Sequence, residues 1–340
     1  MSSGTKPRVH HPNAVPNKLG FFERDYEGVI STLCAGCGHD SVTAAIIRAV
    51  FDLSIPPHMV AKLSGIGCSS KTPTYFLNTA HGVNSLHGRM PSIATGASAA
   101  NSKLHIIGVS GDGDSLSIGL GQFAHAARRN VDMLYVLMNN GVYGLTKGQF
   151  SASADVGSKL KKGETNRLNA IDPVQLAISL GASFVARSFS GDKEQLIPLL
   201  KAGMLHNGFS FIDVISPCVT FNDHEASTKS YMHTRENQQE IVHMDFVEEV
   251  EEITASYAEG EVQQIKLHDG TPIALKKIAA DYDPLDPINA QSYIHEHQLK
   301  GQIVTGLLYI DENAEDMHKV ADTVSSPLIN FPYEKLCPGS

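Results

Sequence analysis

Leu104-His105-Ile106-Ile107-Gly108-Val109-Ser110, then Gly111-Asp112-Gly113-Asp114, and 28 residues beyond Gly111 the stretch Asn139-Asn140-Gly141-Val142-Tyr143-Gly144-Leu145 together decide the fold. The first run and a second, Val131-Asp132-Met133-Leu134-Tyr135-Val136-Leu137-Met138, are short, mostly apolar and rich in strand formers, so each reads as a buried strand. Between them Ser115 to Arg129 reads as a helix. Strand, helix and strand at this spacing make a right-handed crossover. The two strands then run parallel, with their carboxyl ends on one side of a sheet. Asp112 and Asn140 are thereby expected to converge.

Magnesium prefers hard oxygen ligands and commonly shares them with phosphate. The Asp112 carboxylate, the Asn140 amide oxygen and a backbone carbonyl near Val142 can supply that chemistry. Gly113 lets backbone approach a diphosphate, and the following helix start offers unpaired N–H groups. A dinucleotide site is the rival reading, since Gly108, Gly111 and Gly113 imitate a glycine-rich turn. That site wants an acid about 20 residues on, at the end of the second strand. Here Asp132 begins that strand and two asparagines end it. At this point the chain resembles the thiamine diphosphate (ThDP) enzymes, whose signature is GDG followed, after a helix and a strand, by NN.

Five cysteines are present, Cys34, Cys37, Cys68, Cys218 and Cys337. The first residues are polar with Pro and His, unlike a signal peptide, and no apolar run reaches membrane-spanning length. The expectation is a cytoplasmic, reducing location without disulfides. Cys34-Ala35-Gly36-Cys37-Gly38 is a CxxC turn opening a helix, and alone it fits zinc, iron–sulfur or dithiol chemistry. Cys68 follows the apolar run Met59-Val60-Ala61-Lys62-Leu63, and Cys218 follows Phe209-Ser210-Phe211-Ile212-Asp213-Val214-Ile215. Both therefore reach the sheet edge that carries Asp112. Four thiolates there suit a 4Fe–4S cluster or a zinc ion equally. Beside ThDP the iron–sulfur reading gains, because a decarboxylated 2-oxoacid on that cofactor is an electron-rich enamine and zinc is redox-inert. Cys337 reads as an ordinary small hydrophobe.

CAGCGH, GIGCSS, LHGR, GDGD and NNGVYGLTKGQ in this order closely resemble the beta subunit of two-subunit 2-oxoacid:ferredoxin oxidoreductases, over roughly residues 30 to 225. The resemblance implies ThDP, magnesium and one 4Fe–4S cluster on this chain, completed by an alpha subunit. By that resemblance Cys34, Cys37, Cys68 and Cys218 ligate the cluster, and Asp112, Asn140 and Val142 hold magnesium. Ile66, Gly67, Cys68 and Ser69, with His87, Gly88 and Arg89 of the Leu86–Arg89 turn, contact the thiamine rings. Gly113, Asp114, Tyr143, Gly144 and Leu145 line the diphosphate side. Leu145 and Lys147 match positions for 2-oxoacid selection and coenzyme A binding, and Lys71 is a candidate for a substrate carboxylate. The bland alternatives are surface lysines, a partly buried histidine at His87 and a structural ion pair at Arg89. Lys159, Lys161 and Lys162 read as a flexible charged loop near the CoA entrance.

No motif supplies the glutamate with which ThDP enzymes activate the aminopyrimidine. In the resembled family the partner chain carries it. The implied reaction is CoA-dependent, reversible oxidative decarboxylation, with ferredoxin as electron acceptor and a heterodimer or dimer of heterodimers as the assembly. 2-Oxoglutarate is the first choice of substrate, followed by pyruvate and branched-chain 2-oxoacids. Two readings from other classes stay open, a non-redox ThDP carboligase or decarboxylase with structural zinc and an electron-transfer subunit without ThDP.

A chain of 340 residues with 42% hydrophobic and 19% charged content describes a soluble globular protein with a large core. The formal charge of −9 argues against a nucleic-acid partner. Residues 1–29 read as an arm, and 30–225 as an α/β ThDP-binding domain with a parallel sheet and helices on both faces. Helices are expected at 41–51, 93–101, 115–129, 173–180 and 193–206, and strands near 59–64, 104–110, 131–138, 183–188 and 209–215. Residues 226–340 read as an extension packed on the core, the cluster or the alpha subunit. That extension has an acidic stretch at Glu248–Ile253, a hairpin at 262–277 turning at Asp269-Gly270, and a polar tail from about Asp281.

Overall fold

Apolar runs bounded by turn residues become strands buried on both faces. The structure is a computed structural model and describes residues 11–159, 163–246, 262–266, 272–277, 279–323, 326–327 and 330–332. In chain order the strands are β1 (Val60–Ser64), β2 (His81–Asn84), β3 (His105–Gly111), β4 (Met133–Asn139), β5 (Val142–Tyr143), β6 (Gln149–Phe150), β7 (Phe184–Phe189), β8 (Phe209–Ile215), β9 (Gln238–Phe246), β10 (Val262–Lys266), β11 (Pro272–Lys277) and β12 (Ile303–Ile310). Ten of them form one sheet in the order β10-β11-β9-β12-β7-β8-β4-β3-β1-β2, while β5 and β6 make a separate hairpin. From β2 to β7 every pairing is parallel. Asp112 and Asn140 consequently leave adjacent strands on the same side, as the crossover requires.

Helices α1 (Gly38–Asp52), α2 (Met90–Ala100), α3 (Leu120–Arg128), α4 (Pro173–Ser179), α5 (Lys193–Leu205), α6 (Tyr231–Asn237), α7 (Pro287–Leu299) and α8 (Met317–Val320) accompany the sheet. They pack in pairs, α1 against α5, α2 against α3 and α4 against α7. Every residue of β4, β7 and β8 is buried. Edge-to-face rings of Phe123, Tyr135 and Phe211, with centroids 5.1 to 5.4 Å apart, tie α3 to the central strands. No described helix is long and apolar enough to cross a membrane.

Four expectations change. The helix expected at 115–129 is two pieces, a π-helical turn (Gly113–Ile118) and then α3. The break falls at Gly119, whose backbone meets Gly88 so closely that a Cβ at position 119 would stand 2.8 Å from the Gly88 oxygen. Strand β2 was not expected, because His-Gly-Val-Asn carries no buried pattern and all four residues are exposed at the sheet edge. The tail beyond Asp281 contains α7 and the buried strand β12, whose run Ile-Val-Thr-Gly-Leu-Leu-Tyr-Ile is a strand signal in plain view. The unexpected β9 lies between β11 and β12. The hairpin at 262–277 is present as antiparallel β10 and β11. Its turn at Asp269-Gly270, the stretch Glu248–Ile253, Lys161, Lys162 and Cys337 lie outside the described residues.

One lysine sits inside the sheet. Lys62 in β1 is 7% exposed, donating from Nζ to the carbonyls of Phe76 (2.6 Å) and Leu77 (2.8 Å). Burial pulls its pKa from 10.5 down to about 8. Between those values the unfolded chain holds the proton more tightly than the folded one, so stability rises with pH across that window. The unfolding free energy of the native chain, relative to Lys62→Met, is expected to rise on the order of 2 kcal/mol from pH 7.5 to 10 in urea titrations. A difference independent of pH would contradict the burial of the ammonium.

Candidate active site

The motif Gly111-Asp112-Gly113-Asp114 leaves β3 with two buried acids that face opposite neighbours. Asp112 is 1% exposed. Its Oδ2 accepts from Gly141 N (2.8 Å), Ser153 Oγ (2.6 Å) and Ser151 Oγ. Its Oδ1 receives no hydrogen bond from another described residue. Burial raises the Asp112 pKa, and the bonds from Ser151 and Ser153 and the charge of Lys229 pull it back. Asn140, also buried, accepts at Oδ1 from Val142 N (3.0 Å), and its carbonyl is held by Asn222 Nδ2 (2.8 Å). The expected magnesium ligands Asp112, Asn140 and Val142 thus lie in one hydrogen-bonded loop system.

Asp114 works on the other side. Its Oδ1 accepts from Gly88 N (2.7 Å), Ile66 N (3.2 Å) and His87 Nδ1 (2.5 Å), and its Oδ2 from Ser110 Oγ (2.5 Å). This carboxylate ties the Ile66 turn to the His87-Gly88 turn. Gly65 makes the contact possible, since a Cβ there would stand 1.7 Å from Asp114 Oδ2. The space beside Gly113 is taken by the Tyr143 ring, whose Cε1 would be 2.4 Å from an added Cβ and whose hydroxyl donates to Gly113 O (3.1 Å). His87 meets the same ring edge-on with centroids 6.3 Å apart. Ser69 Oγ is buried and has no hydrogen-bond partner among the described residues. Gly111 lies beside it, where an added Cβ would stand 3.2 Å from that oxygen. Ile66 is 37% exposed.

The cysteines gather at the next step along the chain. A Cβ on Gly144 would lie 3.5 Å from Cys218 Sγ and 3.6 Å from Cys68 Sγ. Thr220, two residues past Cys218, donates to Cys34 Sγ at 3.4 Å. The CxxC turn is fastened to the segment before Cys218 by Gly38 N to Pro217 O (3.3 Å) and by His39 Nδ1 with Ser216 Oγ (2.6 Å). Burial pushes the Cys37 thiol up to about 12, and it raises Cys68 and Cys218 as well, with the other cysteines adding to each. Thiols whose pKa is raised, as at Cys37, Cys68 and Cys218, become thiolate ligands when a cation binds them. Among the described residues no three His, Cys, Asp or Glu side chains are gathered for a single ion.

Lys71 sits beside Cys68, lowering its pKa, and donates to Thr32 O (3.1 Å). Leu145, 55% exposed, and Lys147, in the left-handed region at φ 77, occupy the tip between β5 and β6. Arg89 Nη1 reaches Gly88 O at 3.5 Å. Gly65, Ser110, Ser151, Ser153 and Asn222 are the site residues that sequence reasoning misses. They supply hydrogen bonds or space across distant segments, and no local pattern marks them.

A family model for the thiamine pyrophosphate enzyme C-terminal TPP binding domain matches residues 65–214. A 2-oxoacid:ferredoxin oxidoreductase subunit beta from Saccharolobus solfataricus is 37% identical over 272 residues, which cover 77% of this chain and 87% of the relative. This chain belongs to the 2-oxoacid:ferredoxin oxidoreductase beta-subunit family. It is part of a ThDP-dependent oxidoreductase. The 2-oxoglutarate oxidoreductase subunit KorB of Mycobacterium tuberculosis is 40% identical over 191 residues, 56% of this chain and 51% of that one. Among solved structures, a 2-oxoglutarate:ferredoxin oxidoreductase from Magnetococcus marinus with 2-oxoglutarate, coenzyme A and succinyl-CoA bound matches at TM-score 0.74. Its identity is 28%, with 95% of this chain and 97% of the other covered.

Gly65→Ala should cost about 2–3 kcal/mol, because the new methyl displaces the Asp114 carboxylate from two turns. Gly121→Ala, in α3 with nothing within 4 Å, should gain about 0.5–1 kcal/mol. Chemical unfolding checks both, and an equal effect at the two positions would contradict the Asp114 contact.

Proposed function

We propose that this chain is the beta subunit of a two-subunit enzyme that oxidatively decarboxylates 2-oxoglutarate with CoA to succinyl-CoA and carbon dioxide, passing two electrons to ferredoxin. The same parts serve the reverse carboxylation. The observation that carries the reading is Tyr143-Gly144, one dipeptide that touches Gly113 of the acid motif with its first residue and stands against Cys68 and Cys218 with its second. A carbon-centred reaction site and an electron acceptor are brought next to each other by that step of backbone. The 2-oxoglutarate choice is supported by KorB and by the ligands of the Magnetococcus marinus structure.

In this reading Asp112, Asn140 and the Val142 carbonyl hold magnesium, with Gly113, Asp114, Tyr143, Gly144 and Leu145 on the diphosphate side. Ile66, Gly67, Cys68, Ser69, His87, Gly88 and Arg89 form the thiamine side. ThDP supplies, when bound, the carbon nucleophile and the electron sink for decarboxylation. The donor set Cys34, Cys37, Cys68 and Cys218 suits a 4Fe–4S cluster, which supplies a one-electron acceptor. Asp114 fixes His87 and the Ile66 amide at the pocket wall, and the Tyr143 ring closes one side against water. Lys71 and Lys147 offer positive charge to the substrate carboxylate and to CoA, and Leu145 bears on which 2-oxoacid fits. An alpha subunit supplies the activating glutamate, in a heterodimer or dimer of heterodimers in the cytoplasm. Residues 1–29 act as an arm, 30–225 as the cofactor domain and 226–340 as an extension on it.

With its alpha subunit, the protein should reduce a low-potential dye faster with 2-oxoglutarate than with pyruvate, and the isolated chain should not turn over. A clear preference for pyruvate would remove the substrate assignment. Gly144→Ala fits the thiols as they stand, so stability should hold while iron content and absorbance near the blue fall, because the methyl occupies space between two sulfurs. Unchanged iron in that variant would contradict the placement of the cluster.

A further inference from the structure

Behind Asp112 a continuous buried hydrogen-bond chain crosses four adjacent strands. Ser153 Oγ stands 2.6 Å from Asp112 Oδ2 and 2.9 Å from Asn139 Oδ1, and its one hydroxyl proton is shared between these two acceptors. Asn139 Nδ2 donates to Asp213 Oδ1 (3.0 Å), and Asp213 Oδ2 accepts from Arg187 Nε (2.8 Å). Arg187 Nη2 then donates to Asp172 Oδ1 (2.9 Å), where Asp172 also caps α4 through Val174 N and Gln175 N. Arg187 is 7% exposed, Asp213 1%, Asn139 2% and Ser153 2%. Nothing in the cofactor reading uses Arg187 or Asp213, yet a buried ion pair is costly unless fully bonded. Here each atom in the chain is aimed at the next, and its far end is the oxygen of Asp112 that turns away from the metal position.

We infer that Asp213, oriented by Arg187, is a positioning residue for the metal site: through Asn139 and Ser153 it fixes the rotation of the Asp112 carboxylate, so that Oδ1 is presented to magnesium. The first asparagine of the NN pair is then a link to Asp213, and the second is the ligand. This rests on the magnesium assignment of Asp112. Asp172 serves as an internal control, because it pairs with the same Arg187 but makes no direct hydrogen bond to Asn139. Outer partners of metal ligands typically change affinity roughly 10- to 100-fold when removed.

The test uses the full chain with its alpha subunit and reads the magnesium concentration that half-saturates ThDP retention in equilibrium dialysis, alongside the thermal midpoint. Asp213→Asn should raise that concentration roughly tenfold or more. Asp172→Asn should lower the midpoint and leave the magnesium requirement within about twofold. Ser153→Ala, which leaves both ion pairs intact, should also raise the requirement, and the double variant with Asp213→Asn should be no worse than the more affected single one. Equal magnesium requirements for Asp213→Asn and Asp172→Asn would overturn the inference, and so would additive effects of Ser153→Ala and Asp213→Asn. If Asp213→Asn does not fold, Ser153→Ala with Asn139→Ser decides by the same additivity criterion. Asp112→Asn separates the two readings. Unchanged retention in that variant sinks the magnesium assignment, whereas lost retention there with none in Asp213→Asn sinks only the positioning role.

Discussion

Two buried carboxylates two residues apart hold the carboxyl end of the sheet together. Asp112 takes hydrogen bonds from the β4 side, at Gly141, Ser151 and Ser153. Asp114 takes them from the β1 side, at Ile66, and from the turn before α2 at His87 and Gly88. A carboxylate without donors would be prohibitively costly at this depth, so each acid forces distant backbone segments to come to it. The loops of the site are therefore ordered by the protein itself. The π-helical turn at Gly113–Ile118 starts just after Asp112 and contains Asp114, and Gly65, Gly88 and Gly119 are glycines because side chains there would collide with Asp114 or with each other's backbone.

The same geometry joins two chemistries. Parallel strands deliver Asp112, Asn140, Cys68 and Cys218 to one sheet edge, and the Tyr143-Gly144 step spans the gap between the acid motif and the thiols. Partial burial raises the thiol pKa values of Cys37, Cys68 and Cys218, so these thiols stay protonated until a cation arrives. Removing one member of the Arg187 ion pairs further back would leave a buried charge unpaired, a loss of about 3–5 kcal/mol.

Much of this was legible in the sequence. The apolar runs at 104–110, 131–138, 183–188 and 209–215 become β3, β4, β7 and β8, because buried parallel strands are written as local composition. GDGD, NN and the CxxC turn were legible because their chemistry is concentrated in adjacent residues. Strand β2 was not, since an exposed edge strand owes its form to pairing with β1. Ser151, Ser153, Asp213 and Arg187 were hidden for a related reason, as their partners lie 14 to 74 residues away and only the fold brings them together. The contact of Gly113 with the Tyr143 ring, where a Cβ would collide, is likewise visible only in the fold.

The most direct test is a paired cofactor analysis of anaerobically purified protein with its alpha subunit, measuring iron, acid-labile sulfide and thiamine in the native chain, Asp112→Asn and Cys218→Ser. The account predicts a native protein with iron, sulfide and thiamine, a blue-region absorbance that dithionite bleaches, selective thiamine loss in Asp112→Asn, and selective iron loss in Cys218→Ser. A colourless native protein holding zinc, or thiamine retained in full by Asp112→Asn, would contradict it.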